Sequence, residues 1–124
     1  MRIRPERVAE TIKREMAGIL ADKLRDPRLS GMISVTEVEV TPDLSTARIF
    51  VSMLAPEEAR QKALQALTHS AGFIRHELAP RLGLREMPEL RFLLDTSIER
   101  GARVEELLRR LANGEPIADG DEEQ

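Results

Sequence analysis

The chain has no cysteine, tryptophan or tyrosine, and only three phenylalanines among 124 residues. Without cysteine there is no disulfide framework, no zinc ribbon and no thiol nucleophile, an absence that fits a reducing cytoplasm. The scarcity of aromatics excludes stacking on aromatic platforms as a main way of holding single-stranded nucleic acid. The first residues, Met1-Arg2-Ile3-Arg4-Pro5-Glu6-Arg7, lack the apolar stretch of a signal peptide. No apolar run approaches the roughly 20 residues that span a bilayer. The expectation is a cytoplasmic protein with no membrane association.

What is present is enough for one folded unit. Hydrophobic residues make up 41% of the chain, so a core forms without metal or disulfides. The net charge is −3, but it is unevenly spread. Five of the 22 acidic residues and none of the 19 basic ones lie in 113–124, leaving 17 acids against 19 bases, a net of +2, in 1–112. Sixteen of the 19 bases are arginine, whose planar fork suits phosphate, although composition or thermal stability also explains such a bias. These shifts divide the chain into a single domain, 1–112, and an acidic, disordered tail, 113–124.

Pro5 suits the first turn of a helix, and Val8, Ile12, Met16, Ile19 and Leu20 recur at helical spacing to about Leu24. Asp26-Pro27-Arg28-Leu29-Ser30-Gly31 reads as a loop. Ile33 and Val35 alternate, then Val38 and Val40 alternate in the opposite phase, which predicts a bulge or face switch near Thr36-Glu37. After a turn at 41–45, Ala47, Ile49, Val51 and Met53 share one face of a second strand, completing an antiparallel hairpin. Pro56-Glu57-Glu58 opens a second helix. Ser70-Ala71-Gly72 interrupts it, and Ile74, Leu78 and Leu82 restart the helical period. Pro80 is expected to kink or end this third helix early, and Gly83 to stop it. Leu90, Phe92 and Leu94 mark a third strand, and Ser97 is placed to cap a last helix running to Leu111. The order is α-β-β-α-α-β plus a helix, a two-layer α+β sandwich with helices on one face of a three-stranded sheet.

Candidate chemistry is thin. His69 and His76 stand seven apart with no partner at metal-ligand spacing, and read as surface histidines. No serine lies in a nucleophile elbow, and no glycine-rich phosphate loop occurs. Glu37 and Glu39 share a strand face, a commonplace of solvent-facing strands. The expectation is no enzyme, no metal and no cofactor. The Ser70-Ala71-Gly72 junction is more informative. Small residues there let an RNA backbone approach, and the amides opening the next helix favour phosphate. Arg75, Arg81 and Arg85 follow the junction; Arg60 and Lys62 precede it. The plainer reading is a helix break between two packing helices.

An α-β-β-α-α-β order with a split helix pair is that of type II KH domains, RNA-binding modules whose helix pair is joined by a Gly-x-x-G loop. From about Arg4 to Leu111 the chain resembles the ribosome-binding factor A family of bacterial ribosome assembly proteins. The resemblance rests on Arg4-Pro5-Glu6-Arg7-Val8-Ala9, Asp26-Pro27-Arg28, Ile33-Ser34-Val35-Thr36, Val38-Glu39-Val40-Thr41-Pro42-Asp43-Leu44, Ala47-Arg48-Ile49-Phe50-Val51-Ser52, Gly72-Phe73-Ile74-Arg75, and Pro88-Glu89-Leu90-Arg91-Phe92 leading to Asp95. It implies binding to the immature 30S subunit through 16S rRNA near the decoding region. It also implies help with late maturation, including 16S rRNA 5′-end processing, a particular need in the cold, no intrinsic catalysis, and release aided by a ribosome-associated GTPase. The family's kink is Ala-x-Gly; here Ser70 takes the first position, and its hydroxyl either meets RNA or caps the third helix.

The leading expectation is therefore a monomeric assembly factor whose RNA-binding residues are Ser70, Ala71, Gly72, Arg75, Arg81 and Arg85, with Arg4 and Arg7, beside Arg2, as a second cluster. Gly72→Val is expected to cost about 1–2 kcal/mol if Gly72 has a positive φ. Replacing Arg75 and Arg81 by alanine is expected to leave thermal stability nearly unchanged. The alternative is a protein-interaction adaptor docking a partner through the sheet or the first helix. Nuclease treatment separates the two, because an adaptor keeps its partner.

Overall fold

A computed structural model describes residues 3–24, 26–29 and 33–114, with the side chains of 98–100 and 102 excepted. Arg2 and all of the expected tail beyond residue 114 lie outside the described residues. Helix α1 spans Pro5–Asp22 and is followed by a 3₁₀ turn at Pro27–Leu29. Strands β1 (Ile33–Val40) and β2 (Thr46–Met53) come next, then α2 (Glu57–His69), α3 (Ala71–Leu82), β3 (Glu89–Leu94) and α4 (Ser97–Ala112). The expected order is the observed one.

The sheet runs β1-β2-β3, with β1 and β2 antiparallel and β2 and β3 parallel. Two parallel neighbours need a crossover, and α2 and α3 supply it. Val35 pairs with Val51 and Glu37 with Phe50, so Thr36 is the extra residue of a bulge. The bulge explains the change of hydrophobic phase: it returns Val38 and Val40 to the face carrying Ile33 and Val35. Thr36 Oγ1 donates to Asp95 Oδ2 at 2.6 Å, tying the bulge to the end of β3. In the 41–45 turn, Leu44 takes a left-handed φ of 62°. Asp43 Oδ1 accepts from the hydroxyls of Thr41 (2.7 Å) and Ser45 (2.8 Å) and from the Ser45 amide (3.1 Å). Those bonds, the Thr41 one foremost, hold the Asp43 carboxyl below its ordinary pKa.

The core lies between one sheet face and the helix layer. Val8, Ile12, Met16 and Ile19 of α1 meet Val38, Ala47, Ile49, Val51, Leu90 and Phe92 of the sheet, with Leu67, Ile74 and Leu78 from α2 and α3. Each large aliphatic side chain buried there contributes about 1.5–3 kcal/mol. The opposite sheet face carries exposed Ser34, Glu37, Glu39, Arg48, Glu89 and Arg91. Glu39 pairs there with Arg48 at 3.1 Å, the surface role that ordinary strand carboxylates take.

Three local expectations are corrected. Pro80 does not end α3 early: the helix runs to Leu82, and Gly83 at φ 62° closes it with its N–H on the Ala79 carbonyl. Near a helix end the proline removes one ladder bond and little helix remains to lose. Ser97 is not the cap of α4. Thr96 occupies that position, and the Asp95 carboxylate accepts the Ser97 amide at 2.9 Å. Gly72 is an ordinary α3 residue, for among the described residues the positive-φ glycines are Gly83 and Gly114.

Candidate nucleic-acid interface

Helices α2 and α3 are separated by Ser70 alone, with φ −90° and ψ 5°. Its amide donates to the carbonyls of Ala66 and Leu67 at 3.0 and 3.1 Å, closing α2. Its carbonyl accepts from Ile74 at 3.0 Å, opening α3. An effective N-cap needs extended backbone to aim its oxygen at the next turn, and Ser70 lacks it. Accordingly its hydroxyl makes no capping bond to α3, which answers half of the question the sequence left. By helix geometry the amides of Ala71, Gly72 and Phe73 have no partner within α3. Gly72 is exposed, and a Cβ built on it meets nothing within 4 Å. The opening is thus a matter of bare surface, not of unusual backbone.

The structure divides the expected arginines into groups. Arg75 lies one turn from Gly72 and donates from Nη2 to the Met87 carbonyl at 3.2 Å, bridging α3 to the segment before β3. Arg81 is nine residues from Gly72, about 14 Å along the helix. Its Nε pairs with Glu15 of α1 at 3.1 Å, and its Nη1 donates to the Glu77 carbonyl. Arg85 sits in another depression, beside Asp43, Leu44 and Met87. Arg4 and Arg7, at the start of α1, share a groove of about 670 Å³ with Arg14, Thr11, Arg81 and Leu82. Four arginines therefore line one groove between α1 and α3, and Arg81 joins the two clusters that lie apart in the sequence.

Two neighbours of these sites were not foreseen as site residues. Arg14 enters the groove because it follows Arg7 by seven residues, two helical turns. Phe73 is 44% exposed beside Gly72. The signal for Phe73 was its place outside the Ile74, Leu78, Leu82 stripe. On the far side of the junction, Arg28 grips Asp26 through Nε (3.1 Å) and Nη2 (2.7 Å), and the Arg28 amide adds a bond of 2.9 Å. The Arg28 bonds, with a smaller attraction from His69 at the end of α2, lower the Asp26 pKa from 3.8 to about 2. Among the described residues no three acidic, His or Cys side chains gather as metal ligands, and no helix is long and apolar enough to cross a membrane.

A mixed three-stranded sheet, a layer of helices on one face and a split helix pair crossing from β2 to β3 define the type II KH-like class of α+β modules. Residues 4–108 match the model of the family described as ribosome-binding factor A, and the chain belongs to that family. A relative named ribosome-binding factor A from Acetivibrio thermocellus is 50% identical over 105 residues, covering 85% of each chain. The crystal structure of ribosome-binding factor A from Thermus thermophilus matches with a TM-score of 0.56 at 28% identity, over 73% of this chain and 89% of that one. A Thermus thermophilus ribosome-binding factor A model, fitted into the cryo-EM map of a 30S complex, matches with a TM-score of 0.55 at 27% identity, over 75% and 92%.

Proposed function

We propose that this protein binds immature 30S subunits through 16S rRNA and assists their late maturation, including processing of the rRNA 5′ end, in the cytoplasm and most critically in the cold. The observation that carries the reading is that Arg4, Arg7, Arg14 and Arg81 line one groove between α1 and α3, on a chain of the ribosome-binding factor A family. These arginines neutralise phosphates. At the other end of α3 the amides of 71–73 donate to a further phosphate beside Ser70 and Gly72, with Arg75 one turn away. Arg85 extends the contact toward the hairpin turn. Residues 1–112 form the binding unit, which acts as a monomer without chemistry of its own, and a ribosome-associated GTPase helps to release it.

Titrating the protein onto immature small subunits and following co-sedimentation at rising salt tests the reading. With four to six phosphates neutralised, log K against log salt falls with a slope of roughly −3 to −5. Nuclease treatment releases the protein. A flat salt response overturns the electrostatic contact, and a complex that survives nuclease points to a protein adaptor instead.

A further inference from the structure

A second groove, of about 660 Å³, lies between α1 and the free edge of the sheet. Ala17, Leu20 and Ala21 of α1, Leu29, and Ile33 and Val35 of β1 form its apolar surface; Glu10, Lys13 and Arg14 stand at one end. The α1 residues recur at helical spacing along the margin of the core, where Leu20 packs partly buried against it and the exposed Ala17 and Ala21 leave the floor open.

The backbone beside this groove has a defined polarity. Asp95 donates its amide to the Val51 carbonyl at 2.8 Å, so Val51 bonds toward β3. Val35, directly across from Val51, therefore stands in a non-hydrogen-bonded pair with it and turns its N–H and C=O to the outer edge. Ile33, two residues earlier and paired with Met53, does the same. Among the described residues no backbone group beyond β2 meets them. A row of alternating donors and acceptors beside a helix is matched by an extended polypeptide, which offers the same alternation. The bulge at Thr36 limits pairing to this first half of the strand.

We propose that the α1–β1 groove binds an extended peptide segment of a partner protein by strand addition. The segment pairs with Ile33 and Val35, lays an apolar side chain over Ala17, Leu20 and Ala21, and sets an acidic side chain against Lys13 and Arg14. The site is separate from the Ser70–Gly72 junction and has Arg14 in common with the arginine groove.

A short acetylated peptide alternating Val and Glu serves as the probe, titrated into the full chain with NMR detection. The expected result is saturable shifts centred on the amides of Ile33 and Val35. Affinity falls at least about tenfold for the Val/Lys analogue, for a peptide N-methylated on the amides that face β1, and for the Ala17→Arg, Ala21→Arg double variant. Both alanines are exposed on α1, so the double variant keeps the wild-type spectrum elsewhere. Equal binding of the N-methylated peptide, or undiminished binding by the double variant, overturns strand addition. Concentration-dependent dimerisation abolished by the double variant assigns the groove to a second copy and overturns the proposal. Shifts at Ile33 and Val35 from oligouridine but not from the peptide assign it to RNA, with the same consequence.

Discussion

Gly72 and Gly83 bracket α3, and a methyl group added at either meets no atom within 4 Å. They differ only in backbone conformation. Gly72 has ordinary helical geometry, whereas Gly83 sits at φ 62°. Gly72→Ala is therefore expected to raise stability by about 0.5–1 kcal/mol, since alanine loses less entropy in a helix. Gly83→Ala is expected to lower it by about 1–2 kcal/mol, since an L side chain is strained in the left-handed region. The two urea midpoints move in opposite directions; a destabilised Gly72→Ala would contradict the helical assignment. Asp26 supplies a pH-dependent counterpart. Its folded pKa of about 2 lies below the ordinary 3.8, because Arg28 bonds the ionised form. The stabilisation is complete above the unfolded pKa and is lost as pH falls through about 2. A carboxyl NMR titration is expected to give a midpoint near 2, and Arg28→Ala to return it toward 3.8.

Where a signal is local, the elements were legible in the sequence. The change of phase between Val35 and Val38 predicted the bulge, and the stripe from Val8 to Ile19 predicted the buried face of α1. What stayed hidden depends on groups far apart in the chain. Thr36 and Asp95 are 59 residues apart, yet their 2.6 Å bond joins the bulge to the point where β3 passes into α4. The same carboxylate accepts the first amide of α4, which is why Ser97, a good cap by local rules, does not fill that role. Convergence of Arg4, Arg7, Arg14 and Arg81 was hidden for the same reason, because α1 and α3 are brought together by the core. Thr36→Val keeps the β-branched shape and removes the hydroxyl. It is expected to cost about 1–2 kcal/mol in chemical denaturation and to increase hydrogen exchange at the Ser97 amide. Wild-type exchange at Ser97 in this variant would show that Asp95 needs no support from the bulge.

At the scale of the whole molecule the acidic net charge conceals a divided surface. The junction at Ser70–Gly72 and the arginine groove lie at opposite ends of α3, about 14 Å apart. A folded RNA bound across both ends would meet two independent sets of contacts. Arg81 is a poor probe of them, because it also holds Glu15 of α1 at 3.1 Å, and its removal has a structural cost of up to about 1 kcal/mol. The expectation that replacing Arg75 and Arg81 together leaves thermal stability nearly unchanged therefore carries this cost. Arg4, Arg7 and Arg14 are exposed and give a cleaner test, since Arg14 reaches Glu15 only at 3.9 Å. Replacing all three by alanine is expected to leave the melting temperature within a few degrees of wild type. It is also expected to reduce the steepness of the log K against log salt plot for immature subunits by about 2–3, one phosphate contact per arginine. Gly72→Ala acts at the other end, by placing a methyl group where a phosphate approaches. It is expected to weaken binding while leaving the salt slope nearly unchanged, since no charge is removed. With no shared partners the two losses of free energy should add to within about 0.5 kcal/mol in the combined variant. Strong non-additivity would mean that RNA bridges the two ends as one unit, and an unchanged slope in the triple variant would remove the groove from the interface.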